Sequence, residues 1–183
     1  CHSILDNASD YDGVLFLVFK MIGNLYQRAS DYEAAEEYYH KAFAMNPYDL
    51  EIQISIGYLY LQSQCFDKAR EKLSSVLAAY GYNVEARIGL ALLHSFLGEY
   101  DVACANLAEV LDRNPAHHLA LSLYSRWSSN CKEGAFPQSY LESHLKENPN
   151  DDSALTLMLN WYVQNQRFER AKELMPMLKK NYR

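Results

Sequence analysis

FLVFKMIGNLYQRASDYEAAEEYYHKAFAMNPYD, residues 16–49, is the stretch that decides the fold. Phe19, Ile22 and Tyr26 fall at three-to-four spacing, the period of an α-helix. Ser30 and Asp31 then supply turn and N-cap chemistry. A second helical stripe follows, with Tyr32, Ala35, Tyr39 and Ala42 on one side. Asn46-Pro47 ends it, because the residue before proline avoids the α region. The stretch predicts a helical hairpin, helix A then helix B. Gly23 and Ala35 leave room for the two backbones to approach, and Tyr26 and Tyr39 fill the space beside that contact.

The pattern repeats. With Phe16 as position 1, the same register restarts at Leu50, Val84, His118 and Asp152, each 34 residues on. Position 8 reads Gly23, Gly57, Ala91, Ser125 and Leu159; position 20 reads Ala35, Ala69, Ala103, Pro137 and Ala171. Position 32 reads Pro47, Gly81, Pro115 and Pro149. One hairpin leaves an apolar face bare and must stack on a neighbour. Five at a constant period predict an all-α solenoid with one concave face, in units 16–49, 50–83, 84–117, 118–151 and 152–183. Residues 1–15 form an N-terminal segment that fits no repeat and is read as a partial helix.

Unit four departs from the pattern with Ser125, Ser128 and Pro137, so its helix B is expected to start late, near Pro137, after a longer loop. Pro176 predicts a kink or early end in the last helix. Val14 to Phe19 is apolar on every side, and Leu174, Met175, Met177 and Leu178 have no capping helix after them. The first stretch is expected to be covered by the N-terminal segment, a missing upstream repeat or another chain, and the last helix points to self-association, a truncated chain or continuation into a longer one.

The first unit, with Phe19, Ile22-Gly23, Tyr26, Ala35, Tyr39, Ala42 and Pro47, resembles the tetratricopeptide repeat, and the likeness extends over residues 16–183. The resemblance implies a right-handed superhelix that binds a peptide along its A helices. Carried over, the groove residues are Lys20 and Asn24 at the N-terminal rim, Ile54, Tyr58, Leu61, Ile88, Leu92 and Phe96 at an apolar centre, and Arg126 beyond it. Packing between adjacent A helices is the other reading of the apolar members. Some relatives grip heat-shock chaperone tails with a carboxylate clamp. Lys20 and Asn24 fit that clamp, but Ser55, Glu85 and Gly89 do not, and a glutamate in place of a lysine repels the ligand. A conventional heat-shock-tail co-chaperone is therefore rejected. The function expected is a protein- or peptide-binding adaptor, assembly factor or secretion chaperone. The alternatives are a scaffold stacking through its apolar ends or an accessory domain of a larger enzyme.

A net charge of -6 disfavours nucleic acid as a partner. No run is long and apolar enough for a transmembrane segment. Cys1, Cys65, Cys104 and Cys131 form no CxxC pair and read as packing thiols in a reducing compartment. His117 and His118 read as exposed loop residues, and Glu33 to Glu37 as a solvated helix face. No P-loop, GxSxG, GxGxxG or HExxH motif occurs, so neither an enzyme nor a metal or cofactor site is expected. The location expected is cytoplasmic, or membrane-anchored as a bacterial lipoprotein through Cys1.

Overall fold

The structure is a computed structural model that describes the backbone of residues 2–131 and 138–180 and the side chains of residues 12–131 and 138–178. The described residues form ten α-helices, a short 3₁₀ turn at Ser128–Asn130, and no strand. Helix α1 (His2–Arg28) pairs with α2 (Tyr32–Met45), and α3 (Leu50–Gln62) with α4 (Phe66–Tyr80), as expected. Helices α5 (Val84–Phe96) and α6 (Tyr100–Arg113) follow in chain order. Then come α7 (His118–Trp127) with α8 (Gln138–Glu147), and α9 (Asp152–Gln164) with α10 (Phe168–Lys180). The first helix begins at His2, so residues 2–15 are continuous with helix A of the first repeat. The chain divides into two compact units, Cys1–Leu93 and His94–Arg183.

The corners repeat as faithfully as the helices. Position 15 lies in the left-handed region at Ser30, Gln64, Gly98 and Gln166, with φ of 63°, 60°, 76° and 58°. The next residue's N–H then reaches back to the carbonyl of position 11: Asp31 to Tyr26, Cys65 to Tyr60, Glu99 to His94 and Arg167 to Tyr162, at 3.0, 2.8, 2.8 and 2.7 Å. This satisfies carbonyls that helix A would otherwise leave open. Position 34 caps the following helix A. Asp49, Asn83, His117 and Asp151 accept from the N–H of Ile52, Ala86, Ala120 and Ala154 at 2.8, 2.8, 3.2 and 3.1 Å. His117 is thus a capping residue, which corrects its reading as a bland loop histidine.

The core of the first unit holds Tyr39, Ile52, Ile56, Leu59, Leu73 and Leu93. Each such side chain contributes about 1.5–3 kcal/mol by leaving water. Tyr39 and Leu73 occupy position 24 and press on Gly23 and Gly57, so the small residue at position 8 is required by the ring or branch facing it. The Glu33–Glu37 face is not wholly solvated: the Glu36 Oε1 accepts from the Tyr60 hydroxyl at 2.8 Å and from Lys68 at 3.3 Å. Burial works against ionisation of Glu36, but these hydrogen bonds and the charges of Lys68 and His40 prevail and lower its pKa.

In the second unit Leu107, Leu111, Leu121, Leu141 and Leu155 are fully buried. His144 stands at position 27 of the irregular repeat, where the first three repeats have Ala42, Val76 and Val110, and its Nε2 lies 2.7 Å from the Asp151 carboxylate. The described part of α8 starts at Gln138, and the expectations for Pro137 and the loop before it lie mostly outside the described residues. Pro176 does not end α10, which continues to Lys180. The carbonyl that proline leaves without a helical donor lies on an exposed stretch, where water can satisfy it.

Candidate functional site

In the first unit the A-helix face is more internally satisfied than its sequence implied. Lys20 forms an ion pair with Glu51 across α1 and α3. The Asn24 side chain accepts from the Tyr39 hydroxyl at 2.6 Å, and Gln27 donates to Gln62 at 2.8 Å. Lys20 therefore spends its charge on the neighbouring repeat. Leu61 and Ile88, expected on the groove surface, are only 4% and 3% exposed; Leu61 belongs to the core. That is a correction: position 12 of repeat two and position 5 of repeat three point into packing.

Ile54, Tyr58 and Leu92 are half-buried and rest on that same core. Tyr58 spans to the next A helix, where its hydroxyl donates to the Glu85 carbonyl at 2.9 Å. A Cβ on Gly89 would lie 2.9 Å from Leu73 Cδ1 but at an ordinary contact of 3.5 Å from the Tyr58 ring, so the glycine makes room for Leu73. Burial, and then the charge of Glu85, push the Tyr58 phenol up to about 12, so it remains a donor at neutral pH. Packing between A helices thus accounts for much of the apolar centre.

The second unit carries Phe96 and Arg126. Phe96 is exposed. Arg126 lines a recess of about 230 Å³ along α7 and α9, with Ser122, Ser125, Leu157, Asn160, Trp161 and Gln164. A wider hollow of about 480 Å³ adjoins it, sharing Ser122 and Leu157 and reaching His118 and Thr156. Arg126 is exposed and has no ion pair among the described residues. Beside it Ser125 is only 9% exposed, and its hydroxyl has no hydrogen-bond partner among the described residues. The recess offers one cation with no ion pair among the described residues, two amides and hydroxyls against Trp161 and Leu157, chemistry suited to a short polar segment with an apolar footing. Sequence reasoning named Arg126 but missed Trp161 and Ser125, which stand at positions 10 and 8 of their repeats, outside the groove positions carried over from the family. Among the described residues no group of three or more His, Cys, Asp or Glu could hold a metal ion, and no helix is long and apolar enough to cross a membrane.

Two family models, both described as tetratricopeptide repeat, match residues 20–84 and 84–117, together more than half of the chain. The chain is a tetratricopeptide-repeat protein. Among solved structures this repeat protein is similar to PilF of Pseudomonas aeruginosa, with a TM-score of 0.68 and 16% identity over 92% of this chain and 77% of PilF. It is also similar to MamA, with a TM-score of 0.65 and 17% identity over 87% of this chain and 93% of MamA. The tetratricopeptide domain of Arabidopsis OM64 aligns with a TM-score of 0.54 and 20% identity over 61% of this chain and 93% of that domain. At these identities the likeness is one of fold. No curated protein sequence matches the chain.

Proposed function

We propose that this protein is a non-catalytic protein-interaction module that holds a peptide segment of a partner on its A-helix faces, as an adaptor, assembly factor or secretion chaperone. The observation that carries the reading is the recess along α7 and α9, where Arg126 has no ion pair among the described residues and polar groups converge over Trp161 and Leu157. Membership of a repeat family that mostly binds rather than catalyses supports it. The first unit contributes less, since Lys20 and Asn24 already serve internal contacts.

A phage-displayed random peptide library panned against the folded chain tests this. Clones that bind wild type and lose about tenfold or more in affinity against Ser122→Trp, which fills the recess, or Arg126→Ala fit the reading, a loss of about 1.4 kcal/mol. Clones that bind wild type and both variants equally, with helicity unchanged, end the assignment of the recess.

A second reading, stacking of copies through the ends, rests on a different observation. Positions 3 and 10 are buried in repeats two to five, as Ile52 and Leu59, Ala86 and Leu93, Ala120 and Trp127, and Ala154 and Trp161. In repeat one the same positions, Val18 and Leu25, are 41% and 63% exposed. Position 24 is buried at Tyr39, Leu73, Leu107 and Leu141, yet Met175 is 46% exposed. Each end shows the surface that a neighbouring hairpin covers elsewhere. Sedimentation equilibrium decides: concentration-dependent association abolished by Leu25→Glu supports stacking, and a monomer at every concentration excludes it.

A further inference from the structure

We propose that Cys104 and Cys131 are a two-thiol modification site that closes to an intramolecular disulfide when it meets a small-molecule disulfide. Their sulfurs lie 3.0 Å apart within one compact unit. Bond formation asks for an approach of about 1 Å, to the usual S–S length of about 2.05 Å. The two residues reach each other from different repeats. Cys104 sits inside α6 and is buried; Cys131 follows the 3₁₀ turn after α7 and is half-buried. Cys131 is held in place, its Sγ lying 3.4 Å from the Tyr100 carbonyl and 3.6 Å from that of Trp127. Cys65, in contrast, is exposed at the start of α4, its Sγ lying 3.8 Å from the Ser63 carbonyl.

Exposure sets the order of the chemistry. The more accessible Cys131, as thiolate, attacks one sulfur of the reagent RS–SR. A Cys131–SR mixed disulfide forms, and the RS–SR bond breaks to release RS⁻. Cys104 then loses its proton and attacks the Cys131 sulfur, closing Cys104–Cys131 and releasing the second RS⁻. Two protons leave with the two thiolates. Two electrons pass from the cysteines to the reagent, so two thiols and RSSR become one disulfide and two RSH. Burial first, then the hydrogen bond and charge of Cys131 and the charge of Asp101, push the Cys104 thiol well above its ordinary value. Cys104 is therefore a poor first nucleophile, suited to the resolving step, where its partner sulfur is already at hand.

The crosslink would tie helix B of repeat three to the corner of repeat four, just before the stretch 132–137. Oxidised glutathione is the probe, with intact mass, peptide mapping and thermal unfolding as readouts. Wild type is expected to lose about 2 Da through a Cys104–Cys131 link, while Cys65 carries only glutathione. Its unfolding midpoint should rise on the order of 5–10 °C, reversibly with dithiothreitol. Cys104→Ser is expected to stop at the Cys131 mixed disulfide; Cys104→Ala repeats the test should serine disturb the buried position. Cys104 and Cys131 remaining thiols after Cys65 has reacted would overturn the proposal. So would a Cys131 mixed disulfide that persists in wild type, or crosslinks distributed equally over all four cysteines.

Discussion

Tyr39 occupies the space that a side chain on Gly23 would need: a Cβ there falls 2.5 Å from the ring's Cδ1. The ring cannot retreat, since it is fully buried and its hydroxyl is held by Asn24 at 2.6 Å. Gly23→Ala should therefore cost about 1–3 kcal/mol, as overpacked cores do. Gly13 lies in the same helix with nothing within 4 Å among the described residues, so Gly13→Ala should gain about 0.5–1 kcal/mol. Urea unfolding of the two variants checks the contrast.

At the corner between α3 and α4, Gln64 adopts a φ of 60°, where a side chain is strained. Gln64→Gly is expected to raise stability by about 0.5–1 kcal/mol. Gly98, at the equivalent corner with a φ of 76°, should respond in the opposite sense to Gly98→Ala. Thermal melts of both variants read the difference directly.

Asp151 caps α9 through Ser153 and Ala154 and also binds His144. Burial raises its pKa, but the His144 and Ala154 hydrogen bonds and the charges of His118 and His144 outweigh that and bring it below the ordinary aspartate value. A carboxyl held lower in the folded state gives stability that is complete above its unfolded pKa and lost as pH falls through the folded one. Wild type should therefore weaken between about pH 5 and pH 2 more steeply than Asp151→Asn, which caps without ionising. Urea midpoints measured across that range test it.

The Lys20–Glu51 pair joins two repeats, but its glutamate is largely exposed. A double-mutant cycle should give a coupling of about 0.2–1 kcal/mol that shrinks with added salt. Lys20→Ala should leave peptide affinity at the α7–α9 recess unchanged, as a binding titration with any selected peptide can show.

The hairpins, their period and the small residues at position 8 were legible because burial imposes a spacing on residue types that shows in one dimension. The corners were not. Glycine at Gly98 advertises a left-handed residue, whereas Ser30, Gln64 and Gln166 adopt the same bend without any compositional sign. Of the groove residues, Arg126 lines a recess, but Leu61 and Ile88 turn inward. Position numbers carry over a direction along a helix, not the volume of the neighbour that decides how deep a side chain sinks. Cys104 and Cys131 were unreadable for a similar reason. They stand 27 residues apart, and only the packing of a B helix against the end of the next A helix makes them neighbours.

The imidazole at the corner before α7 sets that helix apart from its siblings. Because Nδ1 of His117 takes the Ala120 N–H, the ring's hydrogen must reside on Nε2, a single tautomer that nitrogen-15 shifts can identify. A ring that carried its hydrogen on Nδ1 instead could only donate there, and α7 would lose its tether. The amide oxygen of Asn83 can only accept, so the first turn of α5 is held without any choice of tautomer.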